Sequence, residues 1–168
     1  MSTALARFNA LPVAEVEREL LACCSAPAWA RAVASGRPYS DLEGLNAAAR
    51  AALAGLTWQD IADALAGHPR IGERAGGADR ASAWSRREQA AVASDPAAAT
   101  ADALIAANRA YEQLFGHIFL VFASGRTPEQ ILDSARQRLG NDEATERTVV
   151  REELGKITLL RLERMMTE

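Results

Sequence analysis

Gly67-His68-Pro69-Arg70-Ile71-Gly72-Glu73-Arg74 is the stretch best suited to proton chemistry, and His68 is one of only 2 histidines in the chain. Histidine alone among the side chains titrates near neutrality without help from its surroundings. Between a glycine and a proline, His68 is expected on a fixed loop at a helix end, where it can aim a proton. A half-buried or helix-capping histidine is the competing reading. Glu88 is the second candidate. A carboxylate beside an imidazole raises its pKa and orients the ring, which suits a proton donor. The competing reading is local: Ser85-x-x-Glu88 has the spacing of a capping box at a helix start. The free N–H groups of such a start, over Ser85–Gln89, would also favour an anion. Arg161 is the third candidate. It interrupts the apolar run Ile157-Thr158-Leu159-Leu160-Arg161-Leu162 and shares a helix face with Ile157. Such an arginine either snorkels to water or is paired.

Other chemistries find less support. His68 and His117 are far apart and lie in no His-x-x-x-His or Glu-x-x-His arrangement, and Cys23 and Cys24 are adjacent rather than spaced as zinc ligands. No metal site is therefore expected. Gly72-x-x-x-Gly76-Gly77 lacks the lysine and the preceding strand of a phosphate cradle. No nucleophile elbow supports a Ser-His-Asp triad. Net charge is −3, and the 19 basic residues, with Lys156 the one lysine, are scattered among acids as on solvated helix faces. Arg86-Arg87 is the only adjacent basic pair, too little to track a nucleic acid backbone. No apolar run reaches the roughly 18 residues of a membrane span. The start lacks the order of a secretory signal, and Met166-Thr167-Glu168 is no peroxisomal signal. The two cysteines read as reduced, partly buried helix residues of a cytosolic protein.

The elements that must hold these residues are helices. At 168 residues, 49% hydrophobic and 24% charged, the chain fits one globular domain over residues 1–168. Abundant alanine and recurrent helix stops predict an all-α fold of about eight helices. Helices are expected from Val13 to about Cys24, from Pro27 to Gly36, from Asp41 to Leu53 and over Trp58–Ala66 behind Thr57-x-x-Asp60. A long loop from His68 to about Ala83 follows. Further helices are expected from Ser85 to about Ala93, from Asp95-Pro96 to Phe115, from Thr127-Pro128 to Gly140 and from Asn141 to Met165. In the last, Val149, Leu154, Ile157 and Leu160 are the expected core positions. The run Ile118–Ala123 is strand-like but has no partner strand, so it reads as a buried helix or an extended core segment.

Taken together, these residues resemble a known family. His68-Pro69-Arg70-Ile71-Gly72, Ser85-x-x-Glu88-Gln89, Asn108-x-x-Tyr111-x-x-x-Phe115-Gly116-x-x-Phe119, Arg138-Leu139-x-Asn141 and Glu153-Leu154-x-Lys156-Ile157-x-x-Leu160-Arg161-Leu162 occur in that order. The pattern is similar to that of 2-oxo-4-hydroxy-4-carboxy-5-ureidoimidazoline (OHCU) decarboxylases, which complete the uricase route from urate to (S)-allantoin. The resemblance implies an all-helical, cofactor-free homodimer acting in the cytoplasm on a small ureidoimidazoline. It implies His68 as catalytic acid, with Glu88 and Arg161 as catalytic partners. It places Pro69, Ser85, Arg86, Arg87, Glu88, Gln89, Ile118, Phe119, Leu120, Val121, Phe122 and Ala123 around the substrate. Two rival classes stand beside it: another small-molecule lyase or hydrolase on the same scaffold, and a non-catalytic helical interaction domain.

Overall fold

The computed structural model describes residues 2–72, 80–90 and 98–167. Among these there are nine α-helices and no strand: α1 (Thr3–Ala10), α2 (Val13–Cys23), α3 (Pro27–Ser35), α4 (Leu42–Ala54), α5 (Trp58–Ala66), α6 (Arg80–Ala90), α7 (Ala98–Phe115), α8 (Pro128–Arg138) and α9 (Glu143–Thr167). The expected all-α class is what is found. The expected features at Gly76, Gly77, Ala93 and Asp95-Pro96 lie outside the described residues. None of the helices is long and apolar enough to cross a membrane, among the described residues.

The chain divides into two compact units, Met1–Ala64 with Leu154–Glu168, and Leu65–Glu153. In the first unit, α1 is the helix that periodicity missed. It is short, but Ser2 caps it by accepting the Leu5 N–H at 3.2 Å, and Leu5 and Phe8 are buried one turn apart. α2 packs on α3, and α3 on α4. Trp29 is fully buried and gives its indole N–H to the Ala49 carbonyl at 3.1 Å, so the aromatic bulk is hidden without an orphaned donor. Asn9 closes the Tyr39 turn from both sides, donating to its carbonyl at 2.8 Å and accepting its N–H at 3.0 Å. Asp60 accepts the Thr57 N–H at 2.8 Å while Thr57 Oγ1 accepts the Asp60 N–H at 3.2 Å, the reciprocal pair of the expected capping box.

In the second unit, α7 packs against α8 over a core of Leu104, Ala107, Tyr111, Phe119, Val121, Ala123, Ile131, Leu132 and Ala135. α8 opens with a full capping box: Thr127 accepts from the Gln130 N–H, and Gln130 accepts from the Thr127 N–H. Residues 118–123 are neither helix nor strand. They form the non-helical core segment that was one of the two expected forms. In α9, Leu154 and Ile157 are buried as expected, but Val149 and Leu160 are only half-buried; Val150 and Leu162 take the buried positions instead.

Candidate active site

His68 follows α5 after a single residue, Gly67. Its N–H donates to the Leu65 carbonyl at 3.0 Å, closing the last turn of the helix. The side chain is half-buried, as is Pro69. Three contacts hold the loop that follows. Asn108 of α7 donates to the Ile71 carbonyl at 3.1 Å, and the Gly72 N–H donates to Gln89 Oε1 of α6 at 3.3 Å. Arg70 grips Glu112 of α7 with two nitrogens, at 2.5 and 3.0 Å. That guanidinium holds the Glu112 carboxyl below its usual range. An exposed pair of this kind contributes only about 0–1 kcal/mol, so its value is in fixing direction. Gly72 has φ +88°, a conformation side chains rarely adopt, although a Cβ there would meet nothing within 4 Å.

A cleft of about 430 Å³ opens beside this loop, lined by Arg70, Ile71, Gly72, Ile105, Asn108, Arg109 and Glu112. Neither His68 nor Glu88 lines it. Its chemistry is that of the loop's anchors rather than of the candidate acid.

α6 corrects the expected helix start. The helix begins at Arg80, so Ser85 is inside it and Glu88 lies a turn further on. The reason is burial: Trp84, Ser85 and Glu88, at 3%, 5% and 9% exposure, form the inward stripe of a helix that needs its earlier turn to exist. Ser85 is therefore no N-cap and Glu88 no capping-box glutamate. Ser85–Gln89 lie inside the helix, so their backbone N–H groups are not those of a helix start and offer no anion site of that kind. Gln89 is half-buried, while Arg86 and Arg87 are exposed.

The segment 118–123 is buried at Phe119, Leu120, Val121 and Ala123 and half-buried at Ile118 and Phe122. Its backbone is gripped by two charged side chains. Arg138 Nη1 donates to the Leu120 carbonyl at 2.6 Å, and Glu153 accepts the Phe122 N–H at 2.6 Å. Arg138 also binds Glu146 Oε1 through Nε and Nη2, at 2.8 and 2.5 Å, and stacks over Phe119 at 4.6 Å from the ring centre. Asn141 donates to the other Glu146 oxygen at 2.9 Å, and the Tyr111 hydroxyl donates to Oε1. Burial, reinforced by the hydrogen bond to Glu146, pushes the Tyr111 phenol well above its ordinary value. The second histidine is set nearby: the His117 ring meets Tyr111 edge-on, and its Nδ1 lies 3.1 Å from the Ile118 carbonyl.

Arg138, at 6% exposure, is an exception to the expectation that most arginines are surface charges, and its partner Glu146 is fully buried. Arg138, Asn141 and Glu153 fall in the quoted motifs, but nothing in their spacing assigns a role, and Glu146 carried no signal at all. Its partners lie on three other elements, and such pairing is not legible from one helix.

Arg161 belongs to the first unit. At 3% exposure it does not snorkel, and Nη1 approaches the Ala22 carbonyl at 3.5 Å. Cys23 and Cys24 are free thiols, and they are fully rather than partly buried; burial pushes the Cys24 thiol up. Among the described residues, no group of three or more His, Cys, Asp or Glu side chains could hold a metal ion.

The fold has solved counterparts. A crystal structure of OHCU decarboxylase in the presence of (S)-allantoin superposes with a TM-score of 0.77 at 26% identity, covering 89% of this chain and 98% of that one. A 2-oxo-4-hydroxy-4-carboxy-5-ureidoimidazoline decarboxylase of Amia calva is 32% identical over 138 residues, covering 82% of this chain and 79% of the relative. The uric acid degradation bifunctional protein TTL of Arabidopsis thaliana is 27% identical over 155 residues; this chain spans about half of it, 48%. Fold and relatives define a carboxy-lyase. The chain belongs to the OHCU decarboxylase family, whose model matches residues 9–163.

Proposed function

We propose that this chain converts OHCU to (S)-allantoin in urate degradation with His68 as the proton donor and Glu88 as its carboxylate partner. The observation that carries the residue assignment is Glu88 itself. It is buried toward the C-terminal end of α6, well past any N-terminal capping box, and its neighbour Gln89 is bonded to the His68 loop.

The chemistry asks little more. The substrate carries its carboxylate on the carbon next to a C=N bond. As the C–CO₂⁻ bond breaks, its electron pair moves into that C=N unit, which serves as the sink. A proton must then reach the ring carbon from one face. A loop-borne imidazolium held against a carboxylate delivers it, and a fixed geometry makes the delivery one-sided. Arg161 is the proposed cation for the substrate's polar groups. Pro69, Ser85, Arg86, Arg87, Gln89 and residues 118–123 are the proposed substrate contacts. Exposure of Arg86 and Arg87 favours a role for them at the rim.

The family match across residues 9–163 supports treating 1–168 as one functional domain. Two free buried thiols suit a reducing, cytoplasmic setting. The homodimer is carried by the resemblance. Turnover of freshly prepared OHCU, followed by circular dichroism of the product, tests the activity. Unaccelerated decay to racemic allantoin would refute it.

A further inference from the structure

Residues 118–123 wall the substrate in the reading above, yet no helix or strand shapes them. Something else must set their backbone. Two side chains reach it, two residues apart: Arg138 at the Leu120 carbonyl and Glu153 at the Phe122 N–H, each at 2.6 Å. Among the described residues, no other hydrogen bond engages the backbone from Phe119 to Phe122. Irregular backbone buried in a core is defined only by the partners it is given.

The Arg138 fork is itself over-determined. Two of its nitrogens are taken by Glu146, whose second oxygen is held by Asn141, and the guanidinium lies over Phe119 of the same segment. Only the remaining nitrogen, Nη1, reaches Leu120. A planar guanidinium can satisfy a carboxylate and a carbonyl at once; an ammonium cannot do so in the same geometry. Burying such a network is rarely the cheapest way to stabilise a core, and conformational specificity is one use that keeps it.

We propose that Arg138, oriented by Glu146, and Glu153 are positioning residues: together they fix the Leu120–Phe122 backbone in the one conformation that receives the substrate. The inference rests on the proposed function and deepens it. These residues touch no reacting atom. Their loss should weaken substrate seating more than the chemical step, because a misplaced wall removes binding shared by ground and transition states.

Steady-state kinetics on OHCU with four variants tests this. Glu153→Met keeps the length but removes the acceptor, and should raise KM at least tenfold with kcat within threefold. Glu153→Gln keeps an acceptor oxygen and should restore KM to within threefold of wild type. Arg138→Lys should behave like Glu153→Met. The Arg138→Lys/Glu153→Met double variant should lose less than the product of the two single effects, since both act on one stretch of backbone. Should Arg138→Lys fail to fold, the two single Glu153 variants decide alone. A folded Glu153→Met enzyme with wild-type KM overturns the proposal. So does a loss confined to kcat, or a Glu153→Gln variant as impaired as Glu153→Met. If wild type itself gives no accelerated turnover, the proposed function has failed instead.

Discussion

Gln89 accepts the Gly72 N–H at 3.3 Å, which ties the residue next to Glu88 to the loop that carries His68. The bond joins two parts of the chain that sequence spacing leaves apart. Replacing Gln89 by Leu removes it while keeping bulk. One such bond contributes about 0.5–1.5 kcal/mol, so the melting temperature should fall by only a few degrees. The kcat/KM on OHCU should fall at least tenfold, since the loop loses its tie to α6 and the site loses a proposed contact. An unchanged kcat/KM would mean that the tie does nothing for the reaction.

Glu88→Gln separates chemistry from structure more sharply. With Glu88 in the interior of α6, no cap is lost. The variant should melt near the wild type and keep its helix signal by circular dichroism. Activity should drop by about 10²–10⁴, the usual contribution of a general acid–base group. A stable variant of full activity would remove Glu88 from the mechanism.

Much of this could be read from the chain, and the misses have physical causes. Trp58–Ala66 and the Thr127–Gln130 box were legible because caps and stops are local chemistry. The start of α6 was misplaced because Ser85-x-x-Glu88 imitates a capping box, while burial of Trp84, Ser85 and Glu88 is a tertiary fact that overrides it. α1 was missed because an eight-residue helix shows too few turns to reveal a period. His68 and Glu88 stood out by residue type. Arg138, Glu146 and Glu153 did not, since charged residues on a helix read as solvent-facing until the partners on other elements are known.

Tyr111 makes stability depend on pH at the alkaline end. Its folded pKa is raised above the ordinary 10.0 by burial first and by its bond to Glu146 next. The unfolded chain releases this proton near 10.0, whereas the folded one retains it. The stabilisation is therefore fully present below pH 10 and is lost as pH rises toward the folded value. Denaturant titrations at successive pH values should show wild type weakening above pH 10. Tyr111→Phe should lack that component. It should also be less stable at pH 7 by about 1–3 kcal/mol, because Glu146 loses a buried donor. A parallel alkaline decline in both proteins would remove Tyr111 as its source.

Chelation should leave turnover intact. His68 and His117 share no ligand spacing, and the described residues hold no metal-binding cluster. Rates should match within error before and after dialysis against EDTA. Loss of activity restored by a divalent cation would contradict the mechanism.

The central claim is that His68 delivers a proton to one face of the decarboxylated substrate. Freshly made OHCU should be incubated with wild type, with His68→Ala and without enzyme, and the product followed by circular dichroism. Wild type should give rapid formation of optically active (S)-allantoin. His68→Ala, folded by its helix signal, should leave OHCU to decay at the uncatalysed rate into racemic product. A folded His68→Ala protein that still yields (S)-allantoin at the wild-type rate would contradict the account.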